Sequence, residues 1–248
     1  MPSRKPISLS ASGIKDYMEC PLRWWYRRNL SGEAEPSPEL TVGLAVHNAI
    51  DKHWNDEKAA LKYAMAEVKH LEPVQVLKTQ RMLNSFRTHF ISYLSPEDES
   101  EVSFYIPLKK FEGQEVVVRG RIDRILKTGQ VFDWKTTAKP PRSIDNDVQF
   151  MLYYWAYRER YKKAPTGVYY ASLAEGKLIT YHHNENLLQA LLKKYIPEML
   201  TCIVREQFPP LGLFNDKCYW CQFREVCHKD LGVGKEDRDE LVRSIFSE

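Results

Sequence analysis

Arg119–Thr137 reads RGRIDRILKTGQVFDWKTT, and its pairing decides the fold. The β-branched and aromatic residues on either side of Lys127-Thr128-Gly129 predict two strands joined by a three-residue loop, with Gly129 at the left-handed position that such loops favour. In that register Asp123 lies directly opposite Asp133, so the two side chains share one face of the sheet. Lys135, two residues beyond Asp133, shares it too. Two facing carboxylates repel, and one lysine offsets this only in part. A divalent cation compensates better, because hard carboxylate oxygens suit magnesium or manganese. A solvated strand face carrying an ordinary Asp–Lys pair is the alternative reading of these residues.

Outward from this hairpin the texture changes on both sides. Upstream, helices are predicted over 10–30, with Ser10 or Ser12 as N-cap, and over 40–58, 57–70 and 74–94. Then come three strands: EVSFYIPL (101–108), EVVVRGRIDRIL (115–126) and QVFDWKTT (130–137). Downstream, a helix over 146–161 precedes a strand pair, TGVYYASL (166–173) and KLITYHH (177–183), and a long helix over 184–206. QFPPLGLFND (207–216) reads as a loop before a cysteine cluster and a charged tail. Helices, a strand meander, a helix, two strands and a helix predict a mixed α/β (α+β) fold, with a central mixed β-sheet flanked by helices.

The 248 residues suit one large domain. Apolar residues make up 43% and charged residues 28%, as in an ordinary globular protein. No apolar run is long enough to cross a membrane, and the start carries no apolar signal region. These features place the chain in the cytoplasm, with no membrane partner. With a net charge of only +3, nucleic-acid binding has to come from local patches. Five cysteines in a reduced compartment, three of them in KCYWCQFREVC (217–227), point to metal or cofactor ligation. Their spacing is C-x2-C-x5-C, and a fourth ligand is missing. Cys202, in an apolar helical stretch, reads as a plain buried thiol.

An acid on one strand, Asp123, followed by D-x-K on its neighbour, Asp133 and Lys135, resembles the core of the PD-(D/E)xK nuclease superfamily. GRIDRI and VFDWKTT resemble its RecB-type branch. In that branch an upstream helical histidine completes the metal site, and VGLAVHNAID (42–51) supplies His47. A helix with Gln-x-x-x-Tyr follows, and DVQFMLYYWAYR (147–158) supplies Gln149 and Tyr153, one turn apart on one helix face. Asp133 stands where many relatives carry glutamate. The resemblance implies a restriction-endonuclease-like core and phosphodiester hydrolysis with Mg²⁺ or Mn²⁺. It makes His47, Asp123, Asp133 and the backbone carbonyl of Trp134 the metal ligands. Lys135 would orient or help deprotonate the attacking water, with Gln149 and Tyr153 positioning the strand.

SLSASGIKDYMECPLRWWYRR (8–28) resembles the N-terminal signature of RecB-type nucleases that carry an iron–sulfur cluster. There a Cys-Pro near the start joins a C-terminal C-x2-C-x5-C. The resemblance makes Cys20, Cys218, Cys221 and Cys227 the ligands of one 4Fe–4S cluster, in a subdomain joining the two ends of the chain. Four thiolates by themselves suit zinc as well as a cluster, although this one-plus-three layout differs from the two close pairs of zinc fingers. A cluster here would act as a staple.

These resemblances describe one nuclease domain over 1–248. An N-terminal helical part (8–95) contains Cys20 and His47, the core covers 100–207, the cysteine cluster 208–230 and a tail 231–248. The substrate expected is DNA, single-stranded or with free ends. PLRWWYRR interleaves Arg23, Arg27 and Arg28 with Trp24 and Trp25, which can either stack on bases or pack the helix against its core. Lys139 and Arg142, just after the D-x-K strand, can touch the phosphate backbone or form a plain solvated loop. GVGKED (232–237) is not a phosphate-binding loop, so no ATP-driven activity is expected. A signature running from Ser8 to Cys227 resembles the stand-alone exonucleases of CRISPR systems and their viral relatives more than a piece of a fused helicase. CRISPR-adaptation or recombination proteins would be its partners. Two other readings stay open: an adaptor that binds DNA ends with little cleavage, and an RNA-directed or structure-specific endonuclease.

Overall fold

The computed structural model describes residues 6–30 and 37–232. The order is β1 (Ile7–Ser10), α1 (Ala11–Glu19), α2 (Pro21–Asn29), α3 (Pro38–His53), α4 (Glu57–Val68), α5 (Pro73–His89), β2 (Glu99–Pro107), β3 (Val116–Ile125), β4 (Gln130–Lys135), α6 (Val148–Tyr161), β5 (Gly167–Ser172), β6 (Lys177–Thr180), α7 (Glu185–Ala190), α8 (Ile196–Val204) and α9 (Arg224–Asp230). The charged tail expected over 231–248 lies, from residue 233 onward, outside the described residues. The chain divides into two compact units. One lies within Met1–Ser12 and Ala34–Pro197, the other within Gly13–Glu33 and Glu198–Glu248.

The first unit is a mixed sheet with helices on both faces. β2 runs antiparallel along one edge of β3, from Glu99↔Ile125 to Pro107↔Val117. The other edge of β3 takes two strands in succession. β1 pairs parallel with its start, Ile7↔Val116 to Ser10↔Arg119, and β4 pairs antiparallel with its end, at Arg124↔Phe132 and Ile125↔Val131. This edge is therefore open at 120–123. β4 then pairs parallel with β5, and β5 antiparallel with β6.

The hairpin follows from its loop. Gln130 O accepts from Leu126 N at 2.8 Å and Leu126 O from Gly129 N at 2.8 Å, with Gly129 at φ +87°. This is the expected three-residue loop with a left-handed glycine. Along β4, Val131, Phe132, Asp133 and Trp134 are all buried, as in a strand covered on both faces. Phe132 and Trp134 point to one face, where they pack with Val46 and Ile50 of α3 and Phe86 of α5. Asp133 points to the other, under α6, whose buried residues lie all round its circumference.

The structure differs from the expected elements at three places. The helix expected over 10–30 is a strand and two helices. Cys20 is extended (φ −164°, ψ 110°) and Pro21 starts α2, because the residue before a proline is pushed out of the helical region. The strand β1 is four residues long, too short for its ISLS to show a period. The helix expected over 184–206 contains a π-turn at Leu191–Tyr195. Pro197 follows directly and has no amide to give, so the regular ladder cannot run through it.

Candidate active site

The acidic pair sits where the β3–β4 ladder stops. Extending the register past Arg124↔Phe132 sets Asp123 opposite Asp133, and Trp134 N donates to Asp123 Oδ2 at 2.8 Å. Asp133 is 1% exposed. Its Oδ1 accepts from Gln149 Nε2 at 3.0 Å and lies 3.2 Å from Tyr153 OH. Its Oδ2 is ion-paired with Lys135 Nζ at 2.7 Å. Lys135 Nζ also donates to Gln149 Oε1 at 3.0 Å. Tyr153 OH donates to Arg121 O at 2.7 Å, satisfying a carbonyl on the open stretch of β3. From α3, His47 Nδ1 approaches Asp123 Oδ2 to 3.4 Å.

α6 can serve this site because Asp147 caps it, accepting from Gln149 N at 2.8 Å. The cap fixes Gln149 in the first turn, and Tyr153 one turn later faces the same way. The amide of Gln149 thus grips both members of the D-x-K pair.

Electrostatics follow from burial. Burial and then the charge of Asp133 push the Asp123 carboxyl well above its ordinary range, against Lys135 and the Trp134 amide. Burial alone would lower the Lys135 amine, but Asp133 and Asp123 raise it, so the lysine stays protonated. Burial lowers His47, which leaves a neutral imidazole, the form that binds metals. Burial and the two carboxylates push the Tyr153 phenol well up, keeping it a neutral donor.

Two further residues border the site. Glu101 falls opposite Asp123 on the β2 side, between Ser100↔Arg124 and Val102↔Ile122, with φ at +51°. Its carboxylate is ion-paired with Arg121, whose side chain is 62% exposed. The alternation in EVSFYIPL gives no sign of Glu101, since the residue enters the site only through the β2–β3 register.

A sequence profile described as the PD-(D/E)XK nuclease superfamily matches residues 8–228. The chain belongs to this superfamily. No curated protein matches it. The crystal structure of a candidate exonuclease from Eubacterium rectale resembles this PD-(D/E)XK chain with a TM-score of 0.55 at 16% identity, over 82% of this chain and 83% of that one, a likeness of fold. The crystal structure of SSO0001 aligns with a TM-score of 0.44 at 15% identity, over 90% and 87% of the respective chains.

The donor set of this PD-(D/E)XK site is one imidazole nitrogen, two carboxylates and the Trp134 carbonyl. It is hard and mostly oxygen, which suits Mg²⁺ or Mn²⁺. With Lys135 against Asp133, the side chains do not close on one point. Among the described residues, no three His, Cys, Asp or Glu side chains are grouped as for a single ion.

In the second unit, Cys20, Cys218, Cys221 and Cys227 line one pocket, together with Tyr26 and Gly212. Among the described residues, no disulfide forms. Burial and the three neighbouring cysteines push the Cys227 thiol up to about 11. Buried His228 places Nε2 3.5 Å from Cys218 Sγ. Tyr26 OH donates to Asp230 Oδ2 at 2.6 Å, tying α2 to α9 beside the pocket. Cys202 lies outside the pocket and is half-buried rather than buried.

The basic residues read from the sequence divide. Arg23 Nη2 lies 2.8 Å from Asp16 Oδ1 and 2.5 Å from Glu19 Oε2, Arg27 Nη1 lies 2.5 Å from Asp16 Oδ2, and Arg28 sits over the Trp24 ring at 4.1 Å. Trp24 is buried and stacks on Phe208, so it packs its own unit. The exposed aromatics of the second unit include Phe214, Tyr219 and Trp220. Lys139 and Arg142 are exposed on the segment after β4.

Proposed function

We propose that the chain is a metal-dependent DNA exonuclease of the RecB type, acting in the cytoplasm on single-stranded ends and carrying a structural 4Fe–4S cluster. The observation that carries this reading is the meeting of His47, Asp123, Asp133, Lys135, Gln149 and Tyr153 at the end of β4. His47, Asp123, Asp133 and the Trp134 carbonyl would hold Mg²⁺ or Mn²⁺, which PD-(D/E)XK nucleases generally use. When bound, the ion polarises the scissile phosphate and lowers the pKa of an attacking water.

The residues divide the remaining work. Lys135 is protonated, so it donates: it orients the water and stabilises charge gathering on the phosphate oxygens. Gln149 holds Lys135 and Asp133 in register through its two amide atoms. Tyr153 fixes Gln149 and the Arg121 carbonyl at the fork of the sheet. In the second unit, Cys20, Cys218, Cys221 and Cys227 would ligate the cluster. Four thiols around one pocket, in a chain whose five cysteines form no disulfide, support that ligation. CRISPR-adaptation or recombination proteins are the partners that suit such an enzyme.

The test is one anaerobic preparation, assayed for iron, sulfide and visible absorption, then given end-labelled linear and circular single-stranded DNA with Mn²⁺. A brown protein that shortens linear strands and spares circles is expected, and Lys135→Ala should lower that rate at least a hundredfold at unchanged iron content. Cutting of circles would overturn the exonuclease assignment, and undiminished activity in Lys135→Ala would overturn the active site. A colourless, zinc-bearing protein would remove the cluster.

A further inference from the structure

A groove of about 410 Å³ runs along α5 and the residues that follow β4 and β5. Val74, Leu77, Lys78 and Arg81 form the helix wall, and Ala138 and Leu173 belong to the opposite one. The four helix residues fall at i, i+3, i+4 and i+7, a single stripe. Val74 and Leu77 are 65% and 52% exposed, so they do not serve the core. Arg81 is exposed and Lys78 half-exposed. Among the described residues neither makes an ion pair, and no carboxylate lines the groove.

The groove is tied to the end of the D-x-K strand through the backbone. Leu173 N donates to Lys135 O at 2.9 Å, and Ala138 is the third residue after Lys135. β4 and β5 are parallel, and the groove lies beyond the carboxyl ends of both. That is where open α/β sheets place their ligands.

We propose that this groove carries one nucleic-acid strand beside the scissile phosphate. Lys78 and Arg81, one helical turn apart, hold backbone phosphates, while Val74 and Leu77 contact sugars and bases. The inference rests on the nuclease reading above. Two observations favour a strand over an apolar protein segment as occupant. The polar groups of the groove are both cations with no acid beside them, and the groove continues directly from the strand that bears Asp133 and Lys135.

The test compares wild type with the Lys78→Gln/Arg81→Gln variant, which keeps polarity and length on exposed positions. Binding of a fluorescent twelve-nucleotide oligothymidylate is measured by anisotropy with Ca²⁺ in place of Mn²⁺, across a salt series. Hydrolysis is measured with Mn²⁺ on the oligonucleotide and on thymidine 5′-p-nitrophenyl phosphate, which is too short to fill the groove. The variant should bind the oligonucleotide at least tenfold more weakly. Its salt dependence should be shallower by about 1.4, the loss of two phosphate contacts on a single strand. Its loss of rate on the oligonucleotide should exceed its loss on the mononucleotide at least tenfold. Equal affinity and equal salt slope overturn the groove. A wild type that hydrolyses neither substrate overturns the nuclease reading, and the anisotropy still decides the groove.

Discussion

Asp123 bears the electrostatic tension of the site. Asp133 has Lys135 at 2.7 Å, whereas Asp123 has only the Trp134 amide and a neutral His47. Its carboxyl is pushed well up by burial and by Asp133, so the folded protein holds that proton to higher pH than the unfolded chain, which releases it near pH 4. Above about pH 4 the folded state therefore holds more protons than the unfolded chain, and folding stability falls with rising pH until the raised folded pKa is passed. Asp123→Asn removes this slope. In the absence of divalent cations, its melting temperature should exceed that of wild type, by a margin that widens as pH rises above about 4 until the raised folded pKa is passed. Added Mn²⁺ should raise the melting temperature of wild type and leave the variant unmoved. Parallel melting curves at all pH values, with or without Mn²⁺, would remove Asp123 from both the repulsion and the metal site.

At the scale of elements, the β3–β4 hairpin was the most legible part of the chain, because its loop chemistry and its strand pattern agree. Gly129 at φ +87° is the reason for the register, and the register brings Asp123 to Asp133. Adding a Cβ at Gly129 strains the left-handed backbone and sets that atom 2.8 Å from Tyr157 OH. Gly129→Ala should therefore cost about 1–3 kcal/mol, read by urea unfolding. Its cost should exceed that of Gly113→Ala, where φ is also positive but no atom lies within 4 Å of the added carbon. Equal costs at the two glycines would mean that backbone strain alone, without the Tyr157 contact, sets the penalty. His47, Gln149 and Tyr153 were legible only through the family resemblance, and the structure sets all three against the acidic pair. Glu101 was not, since its place depends on long-range pairing of β2 with β3. The split of 10–30 into a strand and two helices was missed although Pro21 marked it, because the helical periodicity on either side is continuous.

At the scale of the molecule, the second unit brings together segments of chain far apart in sequence. Cys20 precedes α2, and Cys218, Cys221 and Cys227 lie near and within α9, about two hundred residues later. One apolar cluster beside the cysteines has Tyr26, Phe223 and Cys227 buried, with Leu22, Trp25 and Cys221 packed against them. Closing so long a stretch of chain carries a loop entropy that for a covalent link is about 5 kcal/mol. On the proposed ligation, a group held by all four cysteines would add stability here, so its loss should loosen this unit while leaving the sheet and its acidic site intact. Cys221→Ala is expected to lose iron, to melt several degrees lower, and to become sensitive to limited proteolysis between residues 205 and 225. Lys135→Ala should match wild type in iron content and in proteolysis between residues 205 and 225 while losing cleavage. A Cys221→Ala protein with wild-type melting and protease resistance would show that packing alone holds the unit, and the staple would have no role.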